Sequence, residues 1–165
     1  MILAVECLSG CLIFGVTIIL SLLKNKEFWL YEYPKPIQQR YIELHPDCEF
    51  SEPEGFSLKV LIKKIAACLI FIVLLSGMVY LAGARNFFQG GLFSYTIWFV
   101  VNLFDTMVLD LGFMVHWKKC RLEGTENMDA EYKLLNKKSL IDGVYGCLIG
   151  IPVSLIVGSM IALMF

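Results

Sequence analysis

Two long stretches of this chain carry no charge at all: no Asp, Glu, Lys or Arg occurs from Ile65 to Ala84, or from Gly143 to Phe165. A helix rises about 1.5 Å per residue, so about 20 apolar residues cross the hydrocarbon of a bilayer. Both stretches are that long. Two further segments, near the start of the chain and ahead of His116, are almost as apolar. The expected spans are about 1–23, 65–84, 89–116 and 140–165. The fold class is therefore all-α: a polytopic four-helix membrane bundle forming one domain over 1–165. Composition agrees, with 58% hydrophobic and 18% charged residues, against about 45–50% and about 25% in a soluble domain. A net charge of −1 with no basic block leaves no electrostatic footprint for nucleic acid, so the bilayer is the first partner.

Lys and Arg set the orientation, because positively charged loops remain cytoplasmic. Seven (Lys24, Lys26, Lys35, Arg40, Lys59, Lys63, Lys64) lie between or flank spans one and two, and six (Lys118, Lys119, Arg121, Lys133, Lys137, Lys138) lie between spans three and four. Only Arg85 sits between spans two and three. This asymmetry puts loops 24–64 and 117–139 in the cytoplasm and both termini outside. Span one is followed, not preceded, by Lys24 and Lys26, so it reads as an uncleaved span rather than a secretory signal.

Within the first loop, Trp29, Tyr31 and Tyr33 are amphipathic aromatics suited to the headgroup level. Pro36 suits the opening of a short helix that ends at His45-Pro46, with Ile37, Tyr41 and Leu44 on one face. The acidic run from Asp47 to Glu54 reads as a solvated turn, with an acidic docking patch as the alternative. In the second loop Thr125 is placed to cap a helix carrying an Asp129–Lys133 pair and a Met128, Tyr132, Leu135 stripe. Both helices are expected at the membrane interface.

Small residues recur every fourth position on span four, at Gly146, Gly150, Ser154, Gly158 and Ala162. Lipid offers little hydrophobic drive for helix association, so such a stripe lets two backbones approach, within this chain or against a second copy or another membrane protein. Pro152 removes a backbone donor and is expected to kink the helix. The six cysteines form no C-x-x-C pair. Cys7 and Cys11, one turn apart, read as packing residues, with redox or metal chemistry as the alternative.

Acidic residues inside spans are costly and point to function or to interhelical pinning. Glu6, Asp105, Asp110 and Asp142 are such residues. At about 100° per residue Asn102, Asp105 and His116 share one α-helical face, and Asp110 projects about 140° from Asp105. Counted from His116, Asp110 lies about 9 Å and Asp105 about 16 Å into the membrane. Asp110, His116 and Asp142 are expected to converge at the cytoplasmic end with Arg121, Glu123 and Glu126.

The pattern N-x2-D-x4-D over Asn102, Asp105 and Asp110 resembles acidic helix motifs of membrane prenyltransferases, which hold magnesium and a diphosphate, but at a different spacing and without a second motif. A broader likeness rests on Tyr33-Pro34, Ile37-Gln38-Gln39-Arg40-Tyr41, the two aspartates, and Leu122-Glu123-Gly124-Thr125-Glu126 followed by Tyr132. These resemble a family of small bacterial four-span integral membrane proteins, which implies a fold and supplies no mechanism.

No nucleophile elbow, P-loop, dinucleotide fingerprint or H-E-x-x-H motif is present, and no cofactor or metal follows from the residues. Three readings stand. One is a small transporter in which Asp105 and Asp110 bind a proton or cation linked to movement of a small solute, and oligomerisation completes the path. Another is an enzyme on a lipid-borne substrate, with Asp110 and Asp142 as acid, base or metal ligands, His116 carrying a proton and Arg121 holding an anionic headgroup. The third is a structural or accessory subunit.

Overall fold

A computed structural model describes residues 2–47 and 58–165. The expected acidic turn lies, beyond Asp47, outside the described residues. Among the described residues the structure is helical, without a strand. Helix α1 covers Ile2–Lys24 and is followed by a 3-10 segment, Glu27–Glu32. Helix α2 covers Lys35–Leu44, with Pro36 in its first turn, where a missing N–H costs nothing. Helix α3 covers Leu58–Leu81 and α4 covers Phe87–Phe104. The chain then continues as a π-helix over Asp105–Met114. A 3-10 turn at Lys118–Cys120 leads to the short α5, Asp129–Tyr132, and to α6, Leu134–Met164, which remains helical on both sides of Pro152.

Three helical stretches are long and apolar enough to cross a membrane: Ile2–Lys24, Phe87–Met114 and Asp129–Met164. Four were expected. The difference lies in α3, whose described apolar stretch, Cys68–Leu81, is shorter than the other three. Its C-terminal end also comes earlier than the expected Ala84. Gly83 adopts φ 99°, the Ala84 N–H donates to the Val79 carbonyl at 3.2 Å, and the Gly83 N–H donates to Tyr80 at 3.0 Å. This Schellman arrangement satisfies the last carbonyls and stops the helix. Asn86 then starts α4, accepting the Gln89 N–H at 2.9 Å.

The chain divides into two units. In the first (1–12, 54–103, 144–165), the core gathers Cys7, Leu75, Val79, Ile97, Val157 and Ile161. The small-residue stripe of α6 meets α4 here. A Cβ on Gly158 would lie 2.7 Å from the Phe87 carbonyl oxygen, and one on Gly150 would lie 2.5 Å from the Trp98 ring. A Cβ on Gly146 would strike the Asn102 side chain. The stripe thus has a partner within the chain. The Trp98 indole N–H donates to the Gly146 carbonyl at 2.8 Å, adding a polar tie where the backbones come close.

The second unit (13–53, 104–143) packs Leu22, Leu30, Tyr33, Ile37, Tyr41, Val115, Leu122, Tyr132 and Leu135 together. Tyr33 is 2% exposed, and its hydroxyl donates to the Cys120 carbonyl at 2.7 Å. A buried phenol with its polar end satisfied needs no water. Tyr31 remains exposed, and Trp29 is half-buried with its N–H donating to the Ser21 hydroxyl at 3.2 Å. Thr125, expected to cap a helix, is fully buried; α5 begins only at Asp129, without a side-chain cap.

Candidate functional site

The acidic residues of the third expected span lie on the π-helical segment. A π turn closes at i→i+5 rather than i→i+4, so residues five apart lie much closer to one side than they do on an α-helix. Asp105 and Asp110 are five apart. The α-helical geometry that separated them by about 140° therefore does not apply, and the two carboxylates come to nearly the same side. Both are half-buried. Thr106 and Leu109, between them, are buried, with Thr106 packed where a Cβ on Gly143 would lie 2.5 Å from its hydroxyl oxygen.

Asp110 is the better connected of the pair. The buried Ser139 lies beside its carboxylate, and Glu32, Lys138 and Asp142 are its charged neighbours. Lys138 Nζ is 2.6 Å from the Glu32 carboxylate and also donates to the Glu32 carbonyl at 3.1 Å. Asp142 is exposed, one turn beyond Lys138 and Ser139 on α6. Ser139, Lys138 and Glu32 had not been singled out in the sequence. Ser139 and Asp142 are three apart on one helical face, a spacing that could have identified the serine; nothing in the sequence pairs Glu32 with Lys138.

The remaining candidates have contacts of their own. Asn102 belongs to the first unit, where its amide donates to Cys147 Sγ at 3.4 Å. Glu6 lies on α1 in that unit as well. His116 is exposed, with Nδ1 2.8 Å from the Leu111 carbonyl. A carbonyl only accepts, so Nδ1 carries the proton in this contact.

Arg121 is 5% exposed, and its two terminal nitrogens hold the loop while its Nε is buried without a hydrogen-bond partner. Its Nη1 donates to the Glu126 carbonyl and, at 2.5 Å, to Asp129. Nη2 donates to the Val115 carbonyl at 3.0 Å. Asp129, expected to pair with Lys133, forms its ion pair with Arg121. Glu126 accepts the Gly124 N–H at 3.1 Å, and Glu123 is exposed. The Leu122–Glu126 run forms a latch around Tyr132, whose hydroxyl accepts the Leu122 N–H at 3.0 Å and lies 2.8 Å from the Thr125 hydroxyl. Burial pushes the Tyr33 phenol well above its ordinary pKa, with Tyr132 and Cys120 acting in the same direction. Burial likewise raises the Cys120 thiol, against the opposing pull of Lys26.

Among the described residues no group of three or more His, Cys, Asp or Glu is placed to hold a metal ion. Cys7 and Cys11 are buried and unpaired. What the arrangement offers chemically is a carboxylate pair on an apolar helix, with Ser139 and the Lys138–Glu32 ion pair near one member. No family model, curated protein or solved structure matches the chain.

Proposed function

We propose that this chain is a four-span membrane protein, with α3 as the fourth crossing of a helix bundle, both termini outside and both long loops cytoplasmic. In this reading Asp105 and Asp110 bind a proton or a small cation within the membrane and carry its movement. The observation that carries the reading is the π register, which brings the two carboxylates to one side of a helix of spanning length. Local π geometry is frequent at functional sites, and paired acids at membrane depth are expected to mark ion pathways. Ser139 and the Lys138–Glu32 pair would link Asp110 to the cytoplasmic surface. A second copy of the chain would complete the path, since four helices enclose little space of their own.

The lipid-headgroup enzyme has less support. It needs Arg121 and His116 to be available, and Arg121 is taken up by three protein acceptors while His116 bonds to its own helix.

The test is ion flux into proteoliposomes of phosphatidylethanolamine and phosphatidylglycerol with a pH-sensitive dye inside. Imposed proton, sodium or potassium gradients should dissipate with the wild-type chain and not with Asp105→Asn or Asp110→Asn. Flux equal to that of empty vesicles for every gradient would reject the reading.

A further inference from the structure

In the second unit, Asp110 sits among charges of unequal number. The 3-10 segment after α1 presents Glu32, α6 presents Lys138 and Asp142, and Asp105 lies five residues back on its own helix. Packing fixes these neighbours. Thr106 meets α6 at Gly143, and one turn further along the two helices Asp110 comes beside Ser139, the residue after Lys138. Lys138 itself is turned to the 3-10 segment, where Nζ lies 2.6 Å from the Glu32 carboxylate and donates to the Glu32 carbonyl at 3.1 Å. The two side chains of this pair are 43% and 45% exposed. An ion pair that water reaches so freely is held weakly enough to change partners. Lysine carries its charge on a flexible four-carbon stem with three rotatable donors, which suits it to two acceptors in turn. A carboxylate left ionised on an apolar helix is costly without a cation beside it, and Lys138 is the cation among the neighbours of Asp110.

We propose that Lys138 is an exchangeable counter-cation of the Asp110 site, docked on Glu32 while Asp110 holds its proton or cation and turned to the Asp110 carboxylate when that ion has left. The proposal rests on the ion-movement reading above and adds to it the residue that resets the site. No covalent bond changes hands beyond the ion itself. The ion passes from Asp110 to water, Lys138 keeps its three protons throughout, and the Glu32 carboxylate is hydrated at the surface. The emptied site then holds a paired carboxylate rather than a bare one, and Glu32 sets how readily Lys138 leaves.

The test uses the full chain in vesicles of phosphatidylethanolamine and phosphatidylglycerol, treated with dicyclohexylcarbodiimide, which modifies a carboxyl in its protonated form. Labelling of Asp110 is followed by peptide mass spectrometry at about pH 8.5, above the ordinary carboxylate range. Lys138→Gln removes the cation and should speed labelling about tenfold. Glu32→Gln releases Lys138 to Asp110 and should slow it about fivefold. The deciding comparison is Glu32→Gln made in the Lys138→Gln background. Competition for one lysine predicts almost no change there, whereas a Glu32 that acts only through its own field slows labelling equally in both backgrounds. Lys138→Arg keeps a cation and should label within about twofold of the wild type. Lys138→Met, which keeps the stem, takes the place of Lys138→Gln should that variant fail to fold. Equal slowing in both backgrounds, no acceleration in Lys138→Gln, or an Asp110 unlabelled in every variant would overturn the proposal. The labelling reads Asp110 without flux, so the two readings fail separately: competition for Lys138 in vesicles that hold every gradient rejects ion movement and upholds the exchange, and flux with equal slowing does the reverse.

Discussion

The guanidinium of Arg121 lies over the ring of Tyr132, 4.5 Å from its centroid. The contact joins two halves of one latch: Arg121 gathers Val115, Glu126 and Asp129, and the Tyr132 hydroxyl gathers Leu122 and Thr125. Arg121→Lys keeps the charge but loses the planar fork that reaches several acceptors at once. We expect it to lower the stability of the second unit by about 2–3 kcal/mol, read as an earlier thermal transition in mild detergent. An unchanged transition would mean that the latch does not hold the unit.

Tyr132→Phe isolates the other half. The ring remains in the core while the buried Leu122 N–H and Thr125 hydroxyl lose a partner. The expected cost is about 1–3 kcal/mol. Faster amide exchange should be confined to 121–132, and hydrogen exchange with peptide mapping measures it. Exchange unchanged in that segment would contradict the role assigned to the hydroxyl.

Tyr33 makes the second unit sensitive to alkali. Its phenol is held neutral by burial, so its folded pKa exceeds the unfolded value of about 10. The resulting stabilisation is complete below about pH 10 and is lost as pH rises through the folded value. The part of the tyrosinate absorbance that belongs to Tyr33, read as the difference between wild type and Tyr33→Phe, should therefore appear together with unfolding rather than before it, and Tyr33→Phe should weaken the alkaline dependence. Ionisation of every tyrosine with the fold intact would refute this.

Cys120 is fully buried, and its thiol is pushed up by burial. The thiolate is the reactive form, so Cys120 should resist maleimide in the native protein and react after denaturation. Mass-spectrometric mapping of the labelled cysteines gives the answer. Rapid native labelling would show that the second unit opens readily.

On α6, Gly158 leaves no room for a methyl group, because its Cβ would meet backbone atoms of α4 that cannot turn aside. Gly158→Ala should cost about 1–3 kcal/mol. Gly77→Ala, with nothing within 4 Å, should be neutral or slightly stabilising. Paired thermal melts of the two variants in detergent test the contrast, and equal effects would remove the close-approach argument.

Much of this molecule was legible in its residues because the governing rules are local. Uncharged runs marked the long helices, Pro36 and His45-Pro46 bounded α2, and the four-residue spacing of Gly146, Gly150, Ser154 and Gly158 announced a close helix contact. Tertiary structure decided the rest. Whether that stripe met this chain or another depended on α4 presenting Trp98, Gly91 and the Phe87 carbonyl to it. Tyr33 became a core residue, and Thr125 gave up the helix cap, because distant partners, Cys120 and Tyr132, satisfied their hydroxyls. Arg121 was engaged inside the loop for the same reason. The relation between Asp105 and Asp110 turned on one extra residue per hydrogen-bonded turn. Side-chain periodicity read at α-helical spacing cannot register that change, because it takes i→i+4 bonding for granted along the whole helix.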